Sequence, residues 1–197
     1  MTLTSPRLIL ATLAAAAALT SAGVAAAQPQ KPHHLPERGG LLFGFGIGGG
    51  QMSCQSDQSD ICNATIDGAG SFDVHIGGMI SPRLALMGDA WVMYHTENNV
   101  TITHAITTLA AQYWLAPRLW IKGGIGGAVA RAHYRGILLN IDDRTDSVPG
   151  VMVGVGYELL VGRKFAMDVK LKGGTGFYKD NQVRAKNAAL ILGFNWY

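Results

Sequence analysis

Charged side chains are scarce in this chain: Asp, Glu, Lys and Arg make up 15% of its 197 residues, well below the ~25% of ordinary soluble domains. Hydrophobic residues reach 48%, which excludes disorder, since disordered chains have the opposite composition. The formal net charge is only +3, and no basic run concentrates it, so nothing argues for nucleic acid as a partner. Cysteine is limited to Cys54 and Cys62, and two thiols without neighbouring ligands do not make a metal site. Glycine, by contrast, is abundant at 26 residues, which disfavours a helical bundle because each glycine weakens a helix.

The first 27 residues have their own pattern. Arg7 precedes an Ala- and Leu-rich apolar stretch from Leu8 to Val24, and small residues follow at Ala25 and Ala27. That order reads as a secretory signal peptide, 1–27, cut before Gln28. Export into an oxidising compartment then predicts a disulfide between Cys54 and Cys62. Residues 28–39 carry Pro29, Pro32, Pro36, His33 and His34 without apolar periodicity, and read as a flexible lead-in. The remainder, 40–197, is one domain.

Within that domain the period is two. Strands are expected at 41–52, 65–80, 84–95, 100–115, 119–134, 149–161, 165–178 and 183–197. In 165–178, Phe165, Met167, Val169, Leu171 and Phe177 share one face, whereas Asp168, Lys170 and Lys172 share the other. The same division sets Asp67, Asp73 and His75, then Asp89, Lys122 and Glu158, opposite apolar neighbours. A soluble barrel would expose a heavily charged face to water. Here that face is mostly Gly, Ala and Ser with a few charges of both signs, as in a crowded lumen. The expectation is an all-β, eight-stranded, up-and-down transmembrane barrel whose apolar face meets lipid, with Asp67, Asp73, His75, Asp89, Lys122, Glu158, Asp168, Lys170 and Lys172 forming an internal charge network.

Turns agree. Ser81-Pro82-Arg83, Ala116-Pro117-Arg118 and Gly162-Arg163-Lys164 are short, while the alternate connections are generally longer, with Ser53 to Ala64 and Arg135 to Val148 the long ones and shorter pieces near Thr96 to Asn99 and Lys179 to Gln182. Membrane barrels have this asymmetry. Trp114, Trp120, Phe194, Trp196 and Tyr197 cluster at the short-turn end and are expected as interface aromatics, with Tyr94, Tyr134, Phe177 and Tyr178 at the other rim. Apolar parity slips around Thr107 and Thr108, and again at Arg184 and Lys186, so a β-bulge is expected in the fourth and eighth segments. Residues 98–117 carry no formal charge, yet their threonines, His104 and Gln112 oppose a membrane helix.

A removable leader, eight amphipathic segments and the ending Gly193-Phe194-Asn195-Trp196-Tyr197 resemble the small eight-stranded bacterial outer-membrane barrels of OmpX-like, OmpA-type and OmpW-like kind. The resemblance covers Gly40 to Tyr197 and implies outer-membrane location, contact with lipid and lipopolysaccharide, and recognition of the C-terminal strand by the insertion machinery. One departure is that Trp196, not the terminal Tyr197, shares the parity of Leu190, Leu192 and Phe194.

Chemistry is sparse. Barrels of this size that modify lipid A need a serine nucleophile and a histidine base, but the residues two beyond His75, His95, His104 and His133 are Gly77, Glu97, Ile106 and Arg135. Asp73 with His75 reads as a structural pair, and nothing indicates that Asp89 and Glu158 converge as a glycosidase pair would. The loop acids Asp57, Asp60, Asp142, Asp143 and Asp146 lack calcium-loop spacing. No enzyme activity and no cofactor are expected. The expected role is structural or surface interaction, with a narrow porin-like channel as the alternative and a lipid A-modifying enzyme third. No motif identifies a ligand for the external loops.

Overall fold

Alternating residues that cannot form an amphipathic helix form strands in the computed structural model, which describes residues 38–56, 64–135, 140–178 and 183–197. These are β1 (Leu41–Ser56), β2 (Ala64–Ser81), β3 (Leu84–Glu97), β4 (Val100–Trp114), β5 (Leu119–Arg135), β6 (Asn140–Arg144), β7 (Val148–Val161), β8 (Phe165–Tyr178) and β9 (Val183–Trp196). The leader 1–27, residues 28–37 with His33 and His34, and Asp57, Asp60 and Cys62 lie outside the described residues.

All pairings are antiparallel. Successive strands pair in turn, and β1 also pairs with β9, so the sheet closes. β6 pairs only with the end of β5, through Arg131 to Arg135, which leaves eight strands in the wall. The connection 135–148, expected as a loop, thus contains a short ribbon. Its five residues are too few and too charged to announce a strand, and they form by continuing the β5 ladder.

Polarity is inverted relative to a soluble protein. Outward-facing Ile125 is 72% exposed, whereas inward-facing Asp73 is 0% exposed. Leu109, Val153, Leu171 and Leu190 are likewise exposed. A largely aliphatic exterior is stable only against lipid, and a closed ladder leaves no unpaired backbone edge there. The turns after β2, β4 and β7 and both ends of the described chain gather at one rim, where Tyr197 N donates to Lys164 O and Met79 N to Gly40 O. The opposite rim also holds one tight turn, Asn98 and Asn99 between β3 and β4, both at positive φ.

The bulges are not where the sequence put them. β4 keeps unbroken register with β3 and β5, and β9 with β1 and β8. Ile106 faces inward as part of a buried apolar layer with Trp91, Met152 and Ile191, so Thr107 faces out with no slip. Arg184 and Lys186 lie on the same outward face as Leu190, beyond the aliphatic band. Register shifts occur instead in β2, where Gly68 and Ile80 are skipped, and in β7, where Leu159 is skipped.

Candidate functional site

The bulge at Gly68 decides one predicted site residue. Gly68 has φ +72°, the left-handed region glycine enters at least cost. Ala69 pairs with Gly50 and Asp67 with Gln51, so parity reverses across Gly68. Ile66 turns in with Met52, and Asp67 turns out, exposed, away from the network in which it was expected.

The other eight charge-network residues are all buried inside. Lys172 Nζ bridges Asp89 Oδ1 at 2.6 Å and Asp73 Oδ2 at 3.1 Å. Lys122 meets Asp89 at 3.1 Å and Lys170 meets Asp73 at 2.9 Å. Glycine makes the room: a Cβ at Gly46 would run into Asp73 and crowd Lys170, and one at Gly193 would run into Asp168 and crowd Lys170. Asp168 Oδ2 accepts from Trp120 Nε1 at 3.1 Å and Asn195 Nδ2 at 2.9 Å. His75 Nε2 meets Asn195 Oδ1 at 3.0 Å, so its hydrogen-bond partner is Asn195 rather than Asp73. Lysine ammoniums also lie over aromatic rings, Lys122 at 5.4 Å from Trp120 and Lys172 at 5.3 Å from Trp91. No room for a water molecule remains between Asp73, Trp120, Lys122, Lys170 and Lys172.

Nearer the short-turn rim lies a second cluster. Glu158 accepts from Arg38 Nη2 at 2.6 Å, Trp114 Nε1 at 2.8 Å and Tyr197 Oη at 2.9 Å. Arg38 also donates to Pro117 O at 2.6 Å and lies over the Trp114 ring at 4.6 Å. The flexible lead-in therefore does not extend to its last residues, because Arg38 is docked in the barrel mouth. Asp89 and Glu158 belong to separate clusters, so they do not converge on a common substrate.

Three of the expected interface aromatics are inside. Trp114 and Trp120 are 1% and 2% exposed, and Tyr197 is 9% exposed. Each has a polar hydrogen that a buried carboxylate takes up, which lipid could not do. Phe194 and Trp196 do face out, and the girdle is completed by phenylalanines: Phe43 lies 6.1 Å from Trp196, Phe45 5.3 Å from Phe194, and Phe165 5.2 Å from Trp196. At the far rim Tyr94 faces out, but Tyr178 faces in, its hydroxyl 3.1 Å from His104 Nε2.

Asp73, His75 and Asp89 bring ligand atoms within 4.8 Å of one another, the one grouping among the described residues that resembles a metal site. Both carboxylates already carry lysines, and a divalent ion there would face three ammonium groups. The donor set does not fit a cation. Cys54 lies on β1, and its expected partner Cys62 is outside the described residues.

Sequence reasoning missed Arg38 and Asn195. Asn195 was findable, since it shares parity with Gly193 opposite the apolar face. Arg38 had no periodic signal at all.

No family model and no curated protein matches the chain by sequence. Among solved structures, Neisserial surface protein A aligns with a TM-score of 0.58 at 15% identity, over 79% of this chain and 96% of its own. Ail, the attachment invasion locus protein of Yersinia pestis, aligns at 0.54 and 12% identity, over 80% and 99%. A further structure similar at 0.54 is Ail in complex with the heparin analogue sucrose octasulfate. Closed topology, lipid-facing exterior and these likenesses define an eight-stranded β-barrel of the outer-membrane class. The location of this chain is accordingly the outer membrane.

Proposed function

We propose that the barrel is a closed outer-membrane scaffold whose role is structural or surface interaction, and that it neither conducts solutes nor catalyses a reaction. The observation that supports this is the ion-paired block of Asp73, Asp89, Lys122, Lys170 and Lys172, buried inside the barrel and joined across four strands. An eight-stranded interior is only wide enough for side chains to fill, and here charges of opposite sign occupy it. Interaction is then left to the outer wall and the external loops, with lipid and lipopolysaccharide as the constant neighbours. Removal of a signal peptide at Ala27, closure of Cys54 on Cys62, and recognition of the C-terminal strand by the insertion machinery belong to the same reading.

Planar bilayer recording of the purified protein tests it. The expected trace has no discrete openings at neutral pH. Reproducible single-channel steps would establish the narrow porin-like channel instead, and a mass change in lipid A on expression would establish an enzyme.

A further inference from the structure

The outward wall is not uniformly bulky: Gly88, Thr107 and Gly123 are among its small outward residues. Most outward positions carry Leu, Ile, Val or aromatics, but where β8, β9 and β1 adjoin they carry Gly173, Ala188 and Gly49. A concavity of about 460 Å³ results, walled by Val151 and Val153 and edged by Gln51, Ser53, Thr175 and Lys186. A second, of about 290 Å³, adjoins it through Gln51 and Ala188 and runs on between Leu171 and Leu190. The floor is small and apolar, and the loop-ward edge is polar and basic.

The level of that edge follows from strand geometry. Ten residues separate Trp196, in the aromatic girdle at the short-turn rim, from Lys186 on the same face of β9. They span about 33 Å along the strand, and a tilt of about 40° leaves about 25 Å along the membrane normal, the height of a barrel's apolar band. Lys186 therefore stands where the acyl region ends and the outer headgroups begin. One of its three donors goes to Gln55 Oε1 at 2.7 Å, which leaves two for a headgroup. Arg184 is one outward position further on, paired in register with Gln55. One carboxylate, Asp67, lines the second concavity and is paired in register with Gln51, which belongs to both concavities; Lys186 is paired with Ser53, one outward position further toward the loops.

We infer that this trough is a binding site for a phosphorylated, acyl-bearing lipid of the outer leaflet, with an acyl chain lying over Gly173 and Ala188 and a phosphate held by Lys186 and Arg184. The inference rests on the lipid-facing assignment of the wall, not on whether the lumen conducts. Charge and shape together select the ligand: an acyl chain alone has no use for the lysine, and an inorganic phosphate has none for the trough.

The test is native mass spectrometry of the full barrel in detergent, titrated with diphosphoryl lipid A, its dephosphorylated form and phosphatidylcholine. Cold-gel mobility verifies folding of each variant. Diphosphoryl lipid A is expected to be retained at one per barrel in preference to the other two. Lys186→Ala and Arg184→Ala should each weaken it about fivefold, the loss expected for one basic residue at a charged surface. Gly173→Leu fills the trough, and a Cβ there meets only Asn187 O at 3.8 Å, so the barrel is undisturbed while retention falls. Lys164→Ala, at the opposite rim, should change nothing. Equal retention of all three lipids, unchanged retention in the trough variants, or a lipid-free dimer that Gly173→Leu abolishes would each overturn the inference.

Discussion

Glu158 collects a guanidinium, an indole N–H and a phenol hydroxyl at one buried carboxylate. Each charge-assisted bond contributes about 1.5–3 kcal/mol, and none of the donors has water to fall back on. Arg38→Ala leaves that carboxylate buried without its counter-charge, and a loss of about 3–5 kcal/mol is expected, measured as the urea midpoint of the refolded barrel by tryptophan fluorescence. Glu158→Gln should cost about 2–4 kcal/mol, and the double variant less than the sum, since both changes disrupt one interaction. A strictly additive result would mean that Arg38 is not docked in solution. Gly156 makes a different argument at the same scale: a Cβ there would run into the Trp120 ring. Gly156→Val is expected to cost about 1–3 kcal/mol by overpacking, and the same unfolding assay reads it.

Within β2 one residue sets the facing of everything before it. Gly68 absorbs the extra backbone unit at φ +72°, so Ile66 joins Met52 inside while Asp67 stays out. Gly68→Ala should keep this arrangement at a cost of about 1 kcal/mol, the penalty of a left-handed alanine. Deleting Gly68 should do far more damage, because it would turn Asp67 inward, where no lysine waits for it. The two variants separate conformational strain from lost register. Equal destabilisation of both in urea would show that parity is not what the bulge protects.

Across the whole molecule, closure through β1 and β9 gives every wall strand two hydrogen-bonded neighbours. Among the described residues the eight-stranded wall has no edge from which detergent can peel it, the short β6 lying outside it, and the lumen's ion pairs are shielded from the medium. The membrane fraction run unboiled on a denaturing gel should therefore keep a compact band that changes mobility on boiling. A single band under both conditions, with the protein recovered in soluble form, would contradict the lipid-facing assignment.

Alternation is a local property, because side chains of an extended chain point to opposite faces in turn. The sequence alone therefore determined that the chain makes strands, roughly where they lie, and that Asp73, Asp89, Lys122, Glu158, Asp168, Lys170 and Lys172 share the face opposite the aliphatics. Partners are non-local, and only closure of the barrel set Lys172 between Asp73 and Asp89 and gave His75 to Asn195. Facing fails locally wherever one bulged residue reverses parity, which is how Asp67 left the lumen. Trp114, Trp120 and Tyr197 carry both an apolar ring and a polar hydrogen, so either an interface or a lumen suits them by composition. The buried carboxylates of other strands decided for the lumen. Arg38 belongs to no periodic segment, and its place in the barrel mouth exists only once β4, β7 and the chain end have assembled around it.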